Sequence, residues 1–348
     1  MEKLRNLKWV IWGALVLGLS GNLAFAQVGI GTETPVEKLH VEKGSFLVTS
    51  PVIDSTESPF YGSDPTADSL RYFMKWFQDR SALVSFGGGM NSQFFDPTFF
   101  NQHTGQFSLT SGFESFASGI GAAVFGLRSS AQGRAAFAAG FQANAISSND
   151  FAVGTNAVAN GTNSVAIGDQ VSTNGHYLSF VFGSGVTNDK DHQMIMGFSG
   201  GYKLFTNNAA NIGAQLSSGS NAWSVISDVN KKENFAPVNG EDFLQKISKM
   251  NLTSWNYKGQ DPKQFRHYGP MAQDFYKAFG QDAYGTIGND TTINQADFDG
   301  VNLVAIQALI RRMDQVNSDL RAELAEVKAQ LSIRNKRSKN KRVLISKK

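Results

Sequence analysis

The chain of 348 residues contains no cysteine. That excludes a disulfide framework, a thiolate metal site, a lipid-modified cysteine and a cysteine nucleophile. Without disulfides, an exported chain must be stabilised by burial, and oligomerisation is one source of it. Charge is sparse as well. Charged residues make up 18% of the chain, with 35 Gly and 8 Pro, a composition poor for an ordinary enzyme core and suited to a repetitive β structure. The five histidines are scattered and set up no metal-ligand spacing. A glycan-cleaving site needs paired carboxylates, whereas Glu114 and Asp150 stand apart among small residues. No set of amphipathic strands is visible near the C-terminus from which an outer-membrane barrel could be built. No metal and no cofactor is expected.

The one strongly apolar run lies at the start. Lys3, Arg5 and Lys8 precede an apolar stretch from Trp9 to Leu19, and Ala24-Phe25-Ala26 puts small residues where a signal peptidase reads. Ser20, Gly21 and Asn22 leave the run short of the roughly 20 residues of a membrane span. Residues 1–26 are therefore expected to be a cleaved secretory signal, with membrane contact only before its removal and a secreted or surface-held product. At the other end, Arg334, Lys336, Arg337, Lys339, Lys341, Arg342, Lys347 and Lys348 occur without an acid, so the body between the two ends is net acidic. The tail, 334–348, reads as a solvated, disordered end, and no nucleic-acid partner is expected.

The strongest internal signal is a repeat. Gly105, Gly112, Gly119, Gly126, Gly133, Gly140, Gly154, Gly161, Gly168 and Gly175 share one seven-residue ladder that only Ser147 breaks. Glycine is a poor helix former, and the intervening Ser-Phe-Ala-Ser, Ala-Phe-Ala-Ala and Ser-Val-Ala-Ile segments read as short strands, each ended by a residue that tolerates positive φ. Alternation puts Val165 and Ile167 on one face and Ser164 and Ala166 on the other. Two strands per coil predict a parallel β-roll over 105–182 with a 14-residue repeat, narrow and rich in alanine, with small-residue faces suited to close lateral packing.

The stretch from Phe151-Ala152-Val153-Gly154 to Ser164-Val165-Ala166-Ile167-Gly168 resembles the β-roll head of trimeric autotransporter adhesins. The resemblance implies a homotrimer with rolls side by side and an outer surface for a glycan or other cell-surface ligand. Upstream, in 27–104, Val28-Gly29-Ile30-Gly31-Thr32, Pro35 and Leu39-His40-Val41 look like the opening segment of tail-fibre-like proteins. Phe60, Tyr61, Tyr72, Phe73, Trp76, Phe77, Phe94, Phe95, Phe99 and Phe100 read as core or trimer contacts. Residues 183–226 read as a β-rich neck.

The last third changes character. Asp242 to Met250 and Gln273 to Phe279 predict helices, and Leu252 to Tyr257 a strand. Within 301–333, Ile306, Ile310, Met313, Leu320, Leu324, Val327 and Leu331 alternate three and four apart, with Asn317 in the same stripe. That is a coiled-coil seam with one polar residue able to fix register, and Glu323 and Lys328 stand where an interhelical pair could form. The fold class expected is mainly β: a trimeric parallel β-roll stalk or head, a C-terminal α+β domain over 227–300, and a terminal coiled-coil helix.

Ser227-Asp228-Val229-Asn230-Lys231-Lys232-Glu233-Asn234-Phe235 resembles the start of the chaperone domain at the C-termini of phage endosialidases and tail spikes, a serine peptidase family. Gly269-Pro270-Met271-Ala272-Gln273-Asp274-Phe275 resembles its second motif, with Asp274 in place of the usual Glu and Pro270 ahead of it. The resemblance implies an intramolecular chaperone that drives trimer folding and then cuts between Ile226 and Ser227. Its nucleophile and base carry over as Ser227 and Lys232. Lys231 competes as base. Backbone N–H groups, His267 or Gln273 could serve the oxyanion, and Asp274 stands beside them as support. The alternative is a structural adhesin that retains the domain as a non-cleaving trimerisation cap, with Ser227 and Asp228 merely capping a turn.

Overall fold

The computed structural model describes residues 28–34, 39–41, 44–49, 70–89 and 102–345. The signal segment, Pro35 and the aromatics Phe60, Tyr61, Phe94, Phe95, Phe99 and Phe100 lie outside them. The chain divides into two units, Met1–Gly200 and Gly201–Lys348.

In the first unit, β1 (Val28–Ile30) pairs in parallel with β2 (Leu39–Val41). Next come β3 (Leu47–Thr49), β4 (Leu70–Phe77) and β5 (Ala82–Gly89), an antiparallel meander. A single 3-10 turn, Gln78–Arg80, joins β4 to β5 and ends on Ser81 in the left-handed region. Phe77, Ala82, Val84 and Phe86 are buried there. The Phe86 ring lies 5.7 Å from that of Phe73 and 5.4 Å from that of Phe116, which ties the meander to the first coil of the roll.

From β5 onward the pairing is parallel. One sheet stacks β6 (Leu109–Phe113), β8 (Ala123–Leu127), β10 (Phe137–Phe141), β12 (Phe151–Thr155), β14 (Val165–Asp169), β15 (Phe180–Ser184) and β16 (Met194–Gly197). A second sheet stacks the two-residue strands β7 (Phe116–Ala117), β9 (Ser130–Ala131), β11 (Asn144–Ala145) and β13 (Val158–Ala159). The chain is thus mainly β and carries the expected parallel solenoid, whose ladder runs on past residue 182 to Gly197.

Alternate ladder glycines, Gly112, Gly126, Gly140, Gly154 and Gly168, have positive φ between 128° and 157°, and a second positive-φ residue follows two places later at Glu114, Arg128, Gln142, Asn156 and Gln170. Proximity requires glycine as well. A Cβ on Gly119 would overlap the carbonyl of Gly133 one coil on, and a Cβ on Gly126 that of Gly140. One feature of the repeat differs from the sequence reading: Gly175 leaves the ladder. Gly161 faces the carbonyl of His176, and Gly168 pairs with Gly183, so this coil carries one extra residue, inserted between Ser172 and His176.

The small residues prove to be the inside of the coil rather than a lateral packing face. Ala138, Ala152, Ala166, Val124 and Val181 are fully or almost fully buried. Their strand neighbours Phe137, Phe151, Val153, Val165 and Ile167 point outward, part-exposed. The reason is width: two stacked backbones this close leave room for little more than methyl groups between them. Each buried methyl contributes about 0.8 kcal/mol, so a coil is stable only when stacked on others.

The second unit opens with an antiparallel sheet, β17 (Gly201–Phe205), β18 (Gly213–Ser217) and β19 (Ser224–Val225). There follow α1 (Gly240–Ser248), β20 (Thr253–Trp255), β21 (His267–Gly269), α2 (Ala272–Phe279) and α3 (Gln295–Ile345). The side chain of Asn239 caps α1 by accepting from Glu241 N and Asp242 N. α3 starts earlier than the apolar stripe suggests. The Asn294 side chain accepts from Ala296 N at 2.9 Å, and its carbonyl accepts from Phe298 N. α3 also runs through the basic tail to Ile345 instead of ending in a disordered segment. The tail lacks Gly and Pro, and cations are favourable at a helix C-terminus.

Candidate functional site

The stretch that begins at Ser227 is a tight, self-capped turn. The Asp228 carboxylate accepts from Asn230 N at 2.9 Å, the Asp228 carbonyl accepts from Lys231 N at 3.0 Å, and Lys232 N donates to the Val229 carbonyl at 3.2 Å. This makes one 3-10 turn, Val229–Lys231, after which Lys232 returns to extended backbone (φ −125°, ψ 152°). The reversal folds the Lys232 side chain back along the turn. Its Nζ donates to Ser227 Oγ at 2.8 Å. Asp228 is therefore the turn's cap, while the Ser227 hydroxyl meets the lysine. Among the described residues it is Lys232, not Lys231, whose ammonium reaches the serine oxygen.

Ile226, on the other side of that peptide bond, is half-buried and donates its N–H to the Gly213 carbonyl at 3.2 Å. The bond thus joins a residue held on the β17–β19 sheet to an exposed turn. Ser227 and Lys232 are both exposed in the single chain.

The remaining candidates lie on β21 and α2. His267, on β21, stacks on Trp255 with ring centroids 4.7 Å apart, and Tyr257 meets both rings edge-on. The Trp255 indole N–H is buried and has no hydrogen-bond partner among the described residues. Gln273 is exposed and Asp274 half-buried in the first turn of α2. No hydrogen bond among the described residues brings His267, Gln273 or Asp274 to Ser227.

The long helix adds a feature that the stripe alone does not reveal. α3 meets its own domain through a different face. Ala305 and Ala308 are buried, Gly240 of α1 abuts Ala308, Arg312 pairs with Glu241, and Phe298 packs on Phe275 at 5.7 Å. The apolar stripe is left uncovered, with Ile306, Met313, Leu320, Leu324 and Leu331 each about half exposed. The sequence signal for the inner face was available in its small residues, Gly240 opposite Ala308.

Among the described residues, no cluster of His, Asp and Glu could hold a metal ion, and no helix is long and apolar enough to cross a membrane. A comparison with curated proteins finds no match. Residues 227–283 match the family model described as the chaperone of endosialidase, so the domain that starts at Ser227, behind a parallel β-solenoid, is similar to that intramolecular chaperone.

Proposed function

We propose that the chain is an exported, trimeric, tail-fibre-like or adhesin-like surface protein whose C-terminal domain drives trimer folding and then cuts itself off between Ile226 and Ser227. The observation that carries the reading is the Ser227 Oγ–Lys232 Nζ contact of 2.8 Å at the first residue of the chaperone-like domain. A neutral Lys232 amine takes the hydroxyl proton, and Ser227 Oγ adds to the Ile226 carbonyl carbon. The C–N bond breaks, the freed amine of Ser227 takes up the proton, and an ester joins Ile226 to Ser227 Oγ. Water then hydrolyses that ester to a carboxylate on Ile226 and restores the hydroxyl.

The uncovered stripe of α3 supports the trimeric part. With its own domain served by Ala305 and Ala308, Ile306 to Leu331 is left for other copies. A parallel solenoid with long-range pairing folds slowly and exposes strand edges, so early association at the C-terminus would raise the local concentration of the chains. The roll surface that faces away from the other copies would take a glycan or cell-surface ligand. A second reading, a non-cleaving adhesin that keeps the domain as a cap, draws on the exposure of both Ser227 and Lys232.

The mass of the secreted mature chain and the N-terminal sequence of any small fragment decide between them. Fragments 27–226 and 227–348, abolished by Ser227→Ala, are the expected result. An intact mature trimer after prolonged incubation at neutral and mildly alkaline pH would leave the non-cleaving adhesin.

A further inference from the structure

Each coil of the solenoid turns back between its short strand and the next long strand, and these turns stack into an edge. Asn149 N donates to the Arg134 carbonyl at 2.8 Å, Asn163 N to the Ser148 carbonyl at 2.9 Å, Leu178 N to the Thr162 carbonyl at 3.1 Å and His192 N to the Tyr177 carbonyl at 3.0 Å. One file of side chains therefore runs up this edge as Ser148, Thr162, Tyr177 and Asp191, with steps of about 4.8 Å.

The last two turns depart from the pattern of the others. The extra residue between Ser172 and His176 puts His176 in the corner slot that Gly133 and Gly161 fill in earlier coils. It also sets Tyr177, 43% exposed, directly after Thr162 in the file. His192 meets the Tyr177 ring edge-on, with centroids 5.4 Å apart. Asp191 is held by one oxygen. Its Oδ1 accepts from Tyr177 N at 2.9 Å and lies 3.2 Å from His176 Nδ1, while Oδ2 makes no hydrogen bond among the described residues. The Tyr177 N–H, and after it His176, holds the Asp191 carboxyl below the usual carboxylate range. Beside the file, Asn149 Nδ2 donates to Asn163 Oδ1 at 2.9 Å, which orients the Asn163 amide and leaves its Nδ2 to donate outward. Ser148 and Thr162 are exposed, and their hydroxyls make no hydrogen bond among the described residues.

We propose that this edge binds a short neutral glycan. The inference rests on the reading above that the roll takes a cell-surface glycan, and it names the surface and the chemical class. A sugar ring offers hydroxyls that both donate and accept, together with an apolar C–H face. Tyr177 supplies an aromatic surface for that face. Asp191 Oδ2 accepts from hydroxyls in charge-assisted bonds, Asn163 Nδ2 donates to them, and Ser148 and Thr162 do either. A sugar ring with its linkage is about as long as one coil step, so successive rings meet successive turns. The ionised Asp191 disfavours a carboxylated or sulfated glycan. The short-strand face lacks this set of free groups, because Ser130 Oγ donates to Asn144 Oδ1 at 2.7 Å and Gln132 Nε2 to Ser130 Oγ at 3.3 Å.

The test applies the full chain carrying Ser227→Ala to an immobilised array of short neutral oligosaccharides of hexose and N-acetylhexosamine units. Oligogalacturonate and heparin fragments form the anionic arm. The expected result is binding to at least one neutral oligosaccharide and to neither anionic probe. Asp191→Asn and Tyr177→Ala should each weaken that binding by about tenfold or more. Tyr177→Phe, which keeps the ring, should weaken it by less than about threefold, and Gln132→Ala on the short-strand face should leave it unchanged. Circular dichroism checks the solenoid in each variant. Asp191→Asn keeps the oxygen that accepts from Tyr177 N, so it decides alone if Tyr177→Ala loses the β signal. Neutral-glycan binding that survives Asp191→Asn, or that falls as far with Gln132→Ala, overturns the assignment of the edge and leaves a glycan-binding roll standing. Binding confined to the anionic probes overturns the chemical class. Binding to no probe removes glycan recognition from the roll, and the inference with it.

Discussion

Replacing Gly126 by alanine tests the close stacking of the coils. Gly126 has φ +129° and lies against the next coil's backbone, where an added Cβ would overlap the Gly140 carbonyl oxygen and come within 2.9 Å of Gly140 N. Contacts below 3.0 Å force something to move, and the neighbour here is backbone with no rotamer to change. The coils must separate locally by about 1 Å, enough to lose most of a well's worth of contact. β8 and β10 are in register over five residues, Ala123↔Phe137 to Leu127↔Phe141. Losing roughly three of those ladder hydrogen bonds at about 1 kcal/mol each, plus about 1–2 kcal/mol of backbone strain, gives about 4–5 kcal/mol. Gly121 is the control. It has φ +68° with open space where its Cβ would go, and Phe107 and Ala135, one coil away on either side, hold the same conformation at φ 57° and 54°. Gly121→Ala should cost about 1 kcal/mol. Urea unfolding followed by circular dichroism, in the chain carrying Ser227→Ala, reads both. Equal midpoint shifts for Gly126→Ala and Gly121→Ala would refute backbone-on-backbone stacking as the origin of the glycine ladder.

Further outcomes follow from the same geometry. Lys232→Ala should slow the appearance of the 227–348 fragment by about 10²- to 10⁴-fold, and Lys231→Ala by no more than a few-fold; equal slowing on a gel time course would discard Lys232 as the base. Asp150 is almost fully buried at the position that Ala136 and Ser164 fill in adjacent coils, and its carboxylate accepts from Ser147 N and Ser164 N. Burial raises its pKa above 3.8, against the opposing pull of those two N–H groups. A raised pKa means that the folded state binds the proton more tightly, so this group's contribution is full below 3.8 and is lost as pH climbs through the folded value. The unfolding free energy of the native chain minus that of Asp150→Asn should therefore fall as pH is raised from acid to neutral, and a pH-independent difference would contradict the burial argument. Leu320→Lys, in the uncovered stripe of α3, should lower the oligomeric state while leaving the helical signal of α1 and α2 intact; an unchanged trimer by light scattering would remove the stripe from the assembly.

The glycine ladder was legible because backbone-to-backbone stacking tolerates no Cβ and so leaves a period in the sequence. The direction of the strand faces was not. Alternation pairs Ala166 with Ser164 and Val165 with Ile167, yet both pairs could line a core; only the width between the sheets decides that the smaller pair goes inside. Gly175 shows a second limit, since a single inserted residue shifts the phase without disturbing the composition. The hairpin from Leu70 to Gly89 escaped for want of a turn dipeptide, its corner being Gln78-Asp79-Arg80 in a 3-10 turn. At the site, a spacing of five between Ser227 and Lys232 belongs to neither a helix nor a strand period. Resemblance singled out the two residues, and the Asp228-capped turn supplies the geometry that brings them together. His267 could be placed on a strand only by the fold, which stacks it on Trp255.

The Gly-on-Gly register has a consequence for length. Because Phe137 to Phe141 meets Phe151 to Thr155 in the same way that Ala123 to Leu127 meets Phe137 to Phe141, a whole coil can be excised or duplicated and the flanking coils still find matching backbones. The rod is then a ruler graduated in steps of about 4.8 Å. Its reach can be edited one coil at a time, without redesign of the meander that starts it or of the strand that ends it, whereas a change that is not a whole coil must be absorbed within one coil, as the extra residue between Ser172 and His176 is.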